Sequence, residues 1–493
     1  MKIFNAQQIR DWDAYTIAHE PVSSLDLMER ASQAFVKWFC NQFVQTRPVW
    51  VFCGKGNNGG DGLAIARILS TGGYDVQVYT IDYPGKASAD YSANLERLKS
   101  HITPTQIAAI TDFPEVPEQV VCIDALLGTG LSRPVEGLLS EIIVKLNSLT
   151  NKIVSVDIAS GLYTDQSNAQ DDVIVKPHFT VTFQCPKLSF MMPQNAHFTG
   201  SWHVVPIGLS EEYAQQTPAS YYFTEKKAAE TRIQPRQKFS HKGTFGHALL
   251  VAGSFGKMGA AVLSGKACLR SGAGLLTMHV PACGYEIMQI SLPEAMTTVD
   301  KHEKINTQLP ELDAYSAVGI GPGIGKEQPT VELVEKLLDT IGVPLLIDAD
   351  ALNILSENRQ LLDKLPAKTI LTPHPKEFQR LAGDSSNEFE RLEAGRQFAI
   401  RHQVIICLKG ANTAVILSNG DVHFNSTGNA GMATGGTGDV LSGIITSLLA
   451  QKYPAEDAAI LGVYEHGLAG DRAAARRGQS ALIASDVVEY LGW

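Results

Sequence analysis

The chain alternates short apolar runs with longer amphipathic stretches, and this pattern constrains its fold more than any other feature. Apolar runs such as 49–53 (VWVFC) and 120–125 (VVCIDA) are typical of strands, whereas 138–149 (LLSEIIVKLNSL) has helical spacing. Strands that are apolar along their whole length are buried on both faces. The pattern therefore predicts an α/β protein with parallel sheets covered by helices on both sides.

The same pattern is interrupted once and then restarts. A polar stretch of mixed charge occupies 211–238, and a new apolar run begins at 247. A chain of 493 residues is also too long for one ordinary hydrophobic core. We therefore predict two domains, 1–215 and 225–493, with the boundary inside the polar stretch.

Composition excludes several function classes. The net charge of −10 argues against a nucleic-acid partner, although backbone amides can still bind a small anion. Seven cysteines without a C-x-x-C pair favour buried reduced thiols and a cytoplasmic protein, not a disulfide framework or a zinc site. No run approaches ~18 uncharged apolar residues, so no membrane association is expected.

A glycine-rich loop, GKGNNGGDG at 54–62, follows the first apolar strand. Its spacing is neither that of G-x-G-x-x-G nor that of G-x-x-x-x-G-K-[ST], and such a loop taken alone could be a tight turn. Two further strands end in Asp124 and Asp157, and ligands of parallel sheets bind beyond the carboxyl ends of the strands. The three strand ends therefore predict a common crevice, unless each aspartate merely caps its turn.

The crevice offers groups for two kinds of ligand. Asn58, Asp124 and Ser160 would supply oxygen atoms, which suit a hard cation better than zinc. The loop Gly128–Pro134 could hold a phosphate through backbone amides, assisted by Arg133.

The motifs NNGGDG, DALLGTGLSRP and VDIASGL resemble the N-terminal domain of the NAD(P)HX epimerases over most of 1–210. The resemblance implies a Rossmann-like three-layer sandwich, a potassium ion on Asn58, Asp124 and Ser160, and Asp157 as the acid/base group near C6 of the nicotinamide ring. It also implies that the hydrated nucleotide contacts Asn57, Asn58, Gly59, Gly60, Asp61, Gly128, Thr129, Gly130, Leu131, Ser132, Arg133, Pro134 and Asp157.

A second glycine-rich run, GNAGMATGGTGDVLSG at 428–443, precedes a predicted helix. The amides of Thr437, Gly438 and Asp439 would form an anion-binding site at the helix N-terminus. Asp439 would stand there as a general base for a hydroxyl that receives a phosphoryl group, unless it is only a helix cap. Further strand ends carry GIGPGIG (319–325), IDADALN (347–353), LTPHPKEF (371–378) and LKGANT (408–413).

These motifs resemble the ribokinase-like superfamily and, within it, the ADP/ATP-dependent NAD(P)HX dehydratases over about 235–493. The resemblance implies that Ala260, Gly323, His374 and Asp439 line the hydrated-nucleotide pocket. It implies an adenine-nucleotide site made by Lys409, Gly410, Ala411, Asn412, Thr413, Asn429, Ala430, Gly431, Met432, Ala433, Thr434, Gly435, Gly436, Thr437 and Gly438. Lys376 replaces the glycine usual in the family, and we expect it to face solvent.

Together the two halves resemble a bifunctional NAD(P)HX repair enzyme. The resemblance implies epimerisation of the R and S hydrates at C6 with K⁺, and dehydration of the S hydrate with ADP and Mg²⁺, releasing AMP and phosphate. NADHX, NADPHX and ADP would be the ligands, and we expect a homo-oligomer. Two alternatives stay open: a small-molecule kinase of the same superfamily with an accessory domain, and an N-terminal domain that only binds its ligand.

Overall fold

The polypeptide separates into two units in a computed structural model that describes residues 1–492. One unit comprises Lys2–Ala219 with Asn387–Phe389, and the other comprises Ser220–Ser386 and the chain from Glu390 onward. Each unit contains its own sheet and its own helices, and each is described separately below.

The N-terminal unit is built on a seven-stranded parallel sheet with the order β4-β3-β2-β5-β6-β7-β8. The seven strands of this sheet are β2 (Val49–Cys53), β3 (Val76–Ile81), β4 (Thr105–Ile107), β5 (Val121–Ala125), β6 (Lys152–Val156), β7 (Phe179–Phe183) and β8 (Ser201–Val205). The short strand β1 (Lys2–Ile3) precedes them in the chain and lies outside this sheet. Its helices are α1 (Ala6–His19), α2 (Ser24–Gln42), α3 (Asn57–Thr71), α4 (Ala89–Lys99), α5 (Gly137–Ser148), α6 (Ala196–Thr199) and α7 (Glu211–Gln216).

The strand order reverses between β2 and β5. From β2 the chain proceeds outward to β3 and β4, and it then returns to β5 on the other side of β2. The loops after β2 and β5 consequently diverge and leave a crevice, which is where ligands of open α/β sheets bind. Every residue of β2 and β5 is buried, as expected for central strands covered on both faces.

The C-terminal unit has the strand order β9-β18-β17-β16-β15-β14-β13-β10-β11-β12. Its strands are β9 (Tyr221–Thr224), β10 (His247–Val251), β11 (Leu275–Val280), β12 (Met296–Val299), β13 (Ala317–Ile320), β14 (Leu345–Ile347), β15 (Ile370–Leu371), β16 (Ile405–Leu408), β17 (Ala414–Ile416) and β18 (Val422–Asn425). Its helices are α8 (Lys226–Glu230), α9 (Met258–Arg270), α10 (Tyr285–Ser291), α11 (Gln328–Thr340), α12 (Ala349–Glu357), α13 (Pro375–Ala382), α14 (Glu388–His402), α15 (Thr437–Ala450), α16 (Ala455–Arg477) and α17 (Ala484–Glu489).

A second reversal lies between β10 and β13, which pair in parallel with each other after the chain has visited β11 and β12. Helix α15 is buried from Val440 to Ala450 and belongs to the core cluster that also contains Ala261 and Ala267 of α9. This packing fixes the N-terminus of α15 relative to the carboxyl ends of the sheet strands.

The α/β class and the parallel sheet of the N-terminal unit confirm the sequence prediction, whereas the C-terminal sheet is only mainly parallel, because β17 pairs antiparallel with both β16 and β18. The apolar run 343–355 (VPLLIDADALNIL) predicts one long strand, and this prediction is wrong, because the run forms only the short β14 and then the helix α12. One strand was missed, since β9 lies in the polar stretch and pairs in parallel with β18. Across residues 1–492, none of the helices is both long enough and apolar enough to cross a bilayer.

Candidate active sites

The glycine loop after β2 allows backbone segments to approach one another closely. A Cβ atom on Gly59 would lie 1.8 Å from the carbonyl oxygen of Gly54, and one on Gly54 would lie 1.9 Å from the carbonyl oxygen of Leu126. Because no side chain fits at either position, the first turn of α3 can press against the ends of β2 and β5. The loop is therefore a tight structural junction at the edge of the crevice.

A buried carboxylate network lies at the end of β5. The side chain of Asp124 accepts hydrogen bonds from Ser160 Oγ at 2.6 Å, Ser160 N at 3.0 Å and Ser155 Oγ at 2.7 Å. Burial raises the pKa of Asp124, and these hydrogen bonds oppose that rise by favouring the charged form. The structure thus brings together two of the three residues predicted to bind a cation.

The third predicted ligand, Asn58, lies in the first turn of α3. Its Nδ2 donates to the carbonyl oxygen of Val156 at 2.8 Å, whereas its buried Oδ1 has no hydrogen-bond partner among residues 1–492. Val156 ends β6, whose Ser155 is paired with Asp124 on β5. An unpaired buried amide oxygen is costly unless a cation or a water molecule accompanies it. The oxygen atoms of Asn58, Asp124 and Ser160 are of the type that a hard cation prefers.

Asp157 follows β6 in an unusual backbone conformation. Its φ of 66° lies in the left-handed region, which is uncommon for a residue other than glycine and costs free energy. Its Oδ1 accepts from Lys187 Nζ at 2.7 Å, Phe183 N at 2.9 Å and Thr182 Oγ1 at 3.1 Å. Since the three donors all converge on Oδ1, the second carboxylate oxygen is left for a ligand.

Lys187 is completely buried, and its ammonium group also donates to the carbonyl oxygens of Phe183 and Cys185. A buried lysine is stable in its charged form only beside an opposite charge, so Asp157 and Lys187 form one unit. No sequence motif includes Lys187, because a lone lysine after a strand carries no spacing signal.

These groups open into a cavity of about 820 Å³. Its lining includes Asn57, Asn58, Asp61, the whole loop Gly128–Pro134, Asp157 and Lys187, and it also includes Asp13 of α1. Burial and the charge of Asp157 raise the pKa of Asp61 well above its usual range. Of the residues predicted to contact the hydrated nucleotide, all but Gly59 and Gly60 therefore border this cavity, whereas the predicted cation ligands Asp124 and Ser160 do not line it.

The second site begins where the sheet of the C-terminal unit reverses. Ser254 Oγ, just after β10, donates to the carbonyl oxygen of Gly323 at 2.7 Å, and Gly323 follows β13. Gly323 has a φ of 66°, and a Cβ atom there would lie 3.2 Å from that of Ala260. Two residues predicted to line the same pocket, Ala260 and Gly323, are thus in contact range.

A charged cluster lies at the ends of β14 and β16. Lys409 Nζ is 3.1 Å from Asp348 Oδ1 and 4.0 Å from Glu377 Oε2. Burial lowers the pKa of Lys409, but the two carboxylates more than offset this and leave the pKa above its ordinary value. Ser442 Oγ donates to the other oxygen of Asp348 at 2.6 Å, which ties the cluster to α15.

The N-terminus of α15 meets this cluster. The preceding Gly436 has a φ of 91°, which glycine adopts readily. A Cβ atom on Gly438 would lie 3.4 Å from Lys409 Nζ, so the ammonium group lies beside the first helical turn. The first amides of an α-helix have no acceptor within the helix, so these groups together are suited to bind an anion.

Asp439 lies in that first turn and is half-buried. Burial, followed by repulsion from Asp348, raises its pKa to about 7, although Lys409 partly opposes the rise. A carboxyl group that titrates near neutrality beside an anion site is suited to accept a proton from a hydroxyl group. The role of Asp439 as the general base stays a prediction.

His374 is the N-cap of α13, where its Nδ1 accepts from the amides of Lys376 and Glu377. Burial lowers the pKa of His374, although the charge of Glu377 opposes this, and His374 Nε2 lies 3.4 Å from Glu377 Oε1. Lys376 is exposed, as expected.

The predicted nucleotide loops are held by local hydrogen bonds. Asn429 Nδ2 and the amide of Gly428 donate to the two carboxylate oxygens of Asp471. Thr437 Oγ1 donates to the carbonyl oxygen of Thr434, which closes the segment just before α15. In the other loop, Thr413 Oγ1 donates to the carbonyl oxygen of Gly410.

Comparisons with known proteins cover both units. A family model described as YjeF-related protein N-terminus matches 24–189, and one described as NAD(P)H-hydrate dehydratase matches 248–492. The bifunctional NAD(P)H-hydrate repair enzyme Nnr of Moorella thermoacetica is 36% identical, with 100% of this chain and 96% of that protein aligned. This chain belongs to the bifunctional NAD(P)H-hydrate repair enzyme family. The enzyme of the same name from Coxiella burnetii is 33% identical over 99% of this chain and 98% of its own length.

A solved structure from Bacillus subtilis, an ADP/ATP-dependent NAD(P)H-hydrate dehydratase crystallised with ATP and Mg²⁺, is 31% identical. It covers 55% of this chain and 95% of its own chain, with a TM-score of 0.48. The sequence motifs of this chain predicted its glycine loops and the aspartates at the ends of its strands. They did not assign Asp13 or Lys187, and they gave Asp348 no role, because those contacts arise only when distant segments fold together.

Proposed function

We propose that this chain interconverts the R and S hydrates of NADH and NADPH in its N-terminal unit and dehydrates the S hydrate in its C-terminal unit. Membership of the repair enzyme family supports both activities. The observation that carries the assignment within the chain is the pair of polar sites at the two sheet reversals.

In the N-terminal unit, Asp157 is proposed to move a proton at the hydroxyl-bearing C6 of the substrate. Its Oδ1 is held by Lys187 and two other donors, so the proton is exchanged at Oδ2. The loops Asn57–Asp61 and Gly128–Pro134 are proposed to bind the nucleotide portion, because both line the cavity beside Asp157.

Potassium is the cation proposed for Asn58, Asp124 and Ser160. The unpaired Oδ1 of Asn58 and the buried charge of Asp124 support an oxygen-ligated monovalent ion. When bound, it would balance the carboxylate and fix the first turn of α3. The side chain of Asn58 also holds the carbonyl of Val156, the residue before Asp157.

In the C-terminal unit, the proposed reaction converts a poor leaving group into a good one. Asp439 takes the proton of the C6 hydroxyl while that oxygen accepts the terminal phosphoryl group of ADP, which leaves as AMP. The C6–O bond then breaks to release phosphate, and loss of a proton from C5 forms the C5=C6 bond of the reduced nicotinamide. Ala260, Gly323 and His374 are proposed to line the pocket for the hydrate.

The donor nucleotide is proposed to bind at Lys409–Thr413 and Asn429–Gly438. Lys409 supports this placement, because its ammonium group lies beside the amide-bearing turn of α15. Within residues 1–492, no three His, Cys, Asp or Glu side chains are placed to hold a metal ion. Magnesium would therefore be held chiefly by the donor phosphates, a common arrangement for this ion, where it would neutralise their charge.

The decisive experiment supplies the protein with a mixture of R and S hydrates and Mg²⁺, with ADP in one arm and ATP in the other. We expect the absorbance of reduced nicotinamide to reach completion, free phosphate to appear in equal amount, and ADP to serve as donor. A stable phosphorylated product without recovered absorbance would instead identify a kinase. A reaction that requires ATP would show that ATP, and not ADP, is the phosphoryl donor.

Asp157→Ala separates catalysis from binding in the N-terminal unit. We expect the variant to lose R-to-S interconversion and to keep dehydration of the S hydrate, because Asp157 belongs only to the first site. If the variant interconverts the hydrates as fast as the parent, the N-terminal unit would be a binding module.

A cytoplasmic location and a homo-oligomeric state complete the proposal. The cysteines described in the structure are free, and five of them are buried, which suits a reducing compartment. Exposed apolar side chains such as Phe255, Ile290 and Met296 offer surface for self-association. Light scattering on the purified protein measures the oligomeric state directly.

A further inference from the structure

A carboxyl group outside the family motifs borders the first cavity. Asp13 lies on α1, upstream of the residues 24–189 matched by the N-terminal family model. It lines the same cavity as Asp157 and Lys187, and it is half-buried. Within residues 1–492, no hydrogen bond or ion pair engages its side chain, so the carboxyl group is available to a ligand.

The surroundings of Asp13 favour its protonated form. Burial and the charge of Asp157 raise its pKa to about 7, and Lys187 only partly opposes the rise. Asp157 differs in its contacts, since three donors hold one of its carboxylate oxygens. The cavity thus contains two carboxyl groups in different environments, and such a pair can divide the roles of acid and base.

Interconversion of two epimers at a hydroxyl-bearing carbon needs both kinds of group. The hydroxyl must leave as water, which requires a proton donor, and the water that returns to the other face must lose a proton to a base. Because water leaves from one face of C6 and returns to the other, a single carboxyl group would have to serve both faces, whereas two carboxyl groups can each serve one.

We propose that Asp13 is the second catalytic carboxyl group of the epimerase site and acts as the proton donor when Asp157 acts as the base. This proposal rests on the epimerase function proposed above. The Asp13 proton moves to the C6 hydroxyl oxygen, the C6–O bond breaks, and the lone pair of N1 forms the N1=C6 bond, releasing water. Water adds to the opposite face of C6, the electron pair returns to N1, and the excess proton goes to Asp157.

The proton balance of this step makes the site reversible. One turnover leaves Asp13 ionised and Asp157 protonated, which is the state needed for the reverse interconversion. Proton exchange with solvent restores the starting state.

The test is Asp13→Asn in the full chain, with Asp11→Asn as the matched control. Asp11 lies on the same helix but is exposed and accepts a hydrogen bond from Gln7. We expect Asp13→Asn to slow R-to-S interconversion by at least about 10²-fold, a typical contribution of general acid catalysis. We expect Asp11→Asn to keep the parent rate. Binding of the hydrate, measured by calorimetry, should change by less than about threefold in both variants.

Asp13→Glu supplies the rescue, because it restores a carboxyl group at this position. A partial return of activity in Asp13→Glu supports the proposal, whereas equal loss in the Asn and Glu variants together with lost binding overturns it. Activity of Asp13→Asn within about threefold of the parent also overturns it, and leaves the epimerase function intact. A parent protein that does not interconvert the hydrates at all would overturn the epimerase function itself.

The pH profile provides a readout that a structural role would not change. The charged or titratable groups that interact with Asp13 are Asp157, Lys187, Asp61 and Cys185. Loss of the Asp13 proton should make the parent rate fall above about pH 7. The residual activity of Asp13→Asn should not fall above about pH 7. If it still falls there, another group causes the pH dependence.

Discussion

At the scale of single residues, the repair chemistry depends on carboxyl groups whose environments oppose their ionisation. Asp439 is the clearest case, since burial and Asp348 raise its pKa to about 7 while the neighbouring Lys409 limits the rise. A base must be ionised to act, so the rate of dehydration should rise with pH through about 7 and then level off. The measurement is kcat/KM for the S hydrate at saturating ADP, followed by absorbance. A flat profile would remove Asp439 from the base role.

The same group predicts an effect on stability. In the unfolded chain Asp439 has its ordinary pKa near 3.8 and is ionised above about pH 4, whereas the folded chain keeps the proton up to about pH 7. Raising the pH from about 4 to 7 therefore lowers the free energy of unfolding by roughly 1.4 kcal/mol per pH unit. Asp439→Asn removes this penalty and should raise the Tm at pH 8 but not at pH 4. It should also slow dehydration by at least about 10²-fold. If the Tm of Asp439→Asn at pH 8 is lower than that of the parent, the folded protein stabilises the ionised carboxylate of Asp439.

Lys187 predicts a different outcome, because it neutralises a buried carboxylate. Lys187→Met leaves Asp157 without its cation and should cost about 3–5 kcal/mol in the free energy of unfolding, with loss of interconversion. Lys99→Met is the control, since Lys99 and Glu96 form an exposed pair that contributes at most about 1 kcal/mol. Thermal unfolding of both variants measures the difference. Equal Tm values would mean that Asp157 is solvated.

The sequence predicts those site residues that belong to local motifs. Asn58 and Ser160 follow strands in recognisable loops, and Ser160 does contact Asp124. Asp13 and Lys187 carry no such signal, because α1 and the segment after β7 reach the cavity only through tertiary folding. Sequence therefore locates the strand-end groups and misses the partners that set their charge.

At the scale of elements, both sites depend on loops that follow the strands at a sheet reversal. In the N-terminal unit, α3 begins directly against the end of β2, and this contact requires glycine at position 59. Gly59→Ala should be destabilising by about 1–3 kcal/mol or more, because its Cβ atom would meet the carbonyl of Gly54.

Gly56→Ala is the matched control for this prediction. Gly56 lies in the same loop with a φ of −87°, and a Cβ atom there would have no atom within 4 Å. Its Tm should stay close to that of the parent, since alanine adopts this backbone conformation without strain. If Gly59→Ala unfolds at the same temperature as Gly56→Ala, the close approach of Gly59 to the carbonyl of Gly54 does not contribute to stability.

The errors in predicting elements have physical causes. The apolar run 343–355 continues through a strand and into a helix, and an apolar run alone does not distinguish the two. The Asp348 that ends the strand is the N-cap of α12, so its side chain sits where it can reach Lys409. Strand β9 was missed because half-buried Tyr221 and Tyr222 lie in a polar stretch.

At the scale of the whole molecule, each unit has its own sheet, its own reversal and its own charged site. The alternating pattern predicted two such units, because each half contains enough apolar strands for a separate core. Separate sites imply that a substitution in one unit should leave the reaction of the other unit intact.

Mixing two inactivated variants tests this independence. Asp157→Ala should convert only the S fraction of mixed hydrates promptly, and Asp439→Asn should interconvert the hydrates without forming reduced nicotinamide. Together with ADP and Mg²⁺ they should convert the whole mixture, because the small substrate diffuses freely from one protein molecule to another. Doubling the concentration of Asp157→Ala alone is the control, and it should leave the R hydrate behind. If the mixed variants also leave the R hydrate behind, the two reactions would require both intact sites in the same molecule.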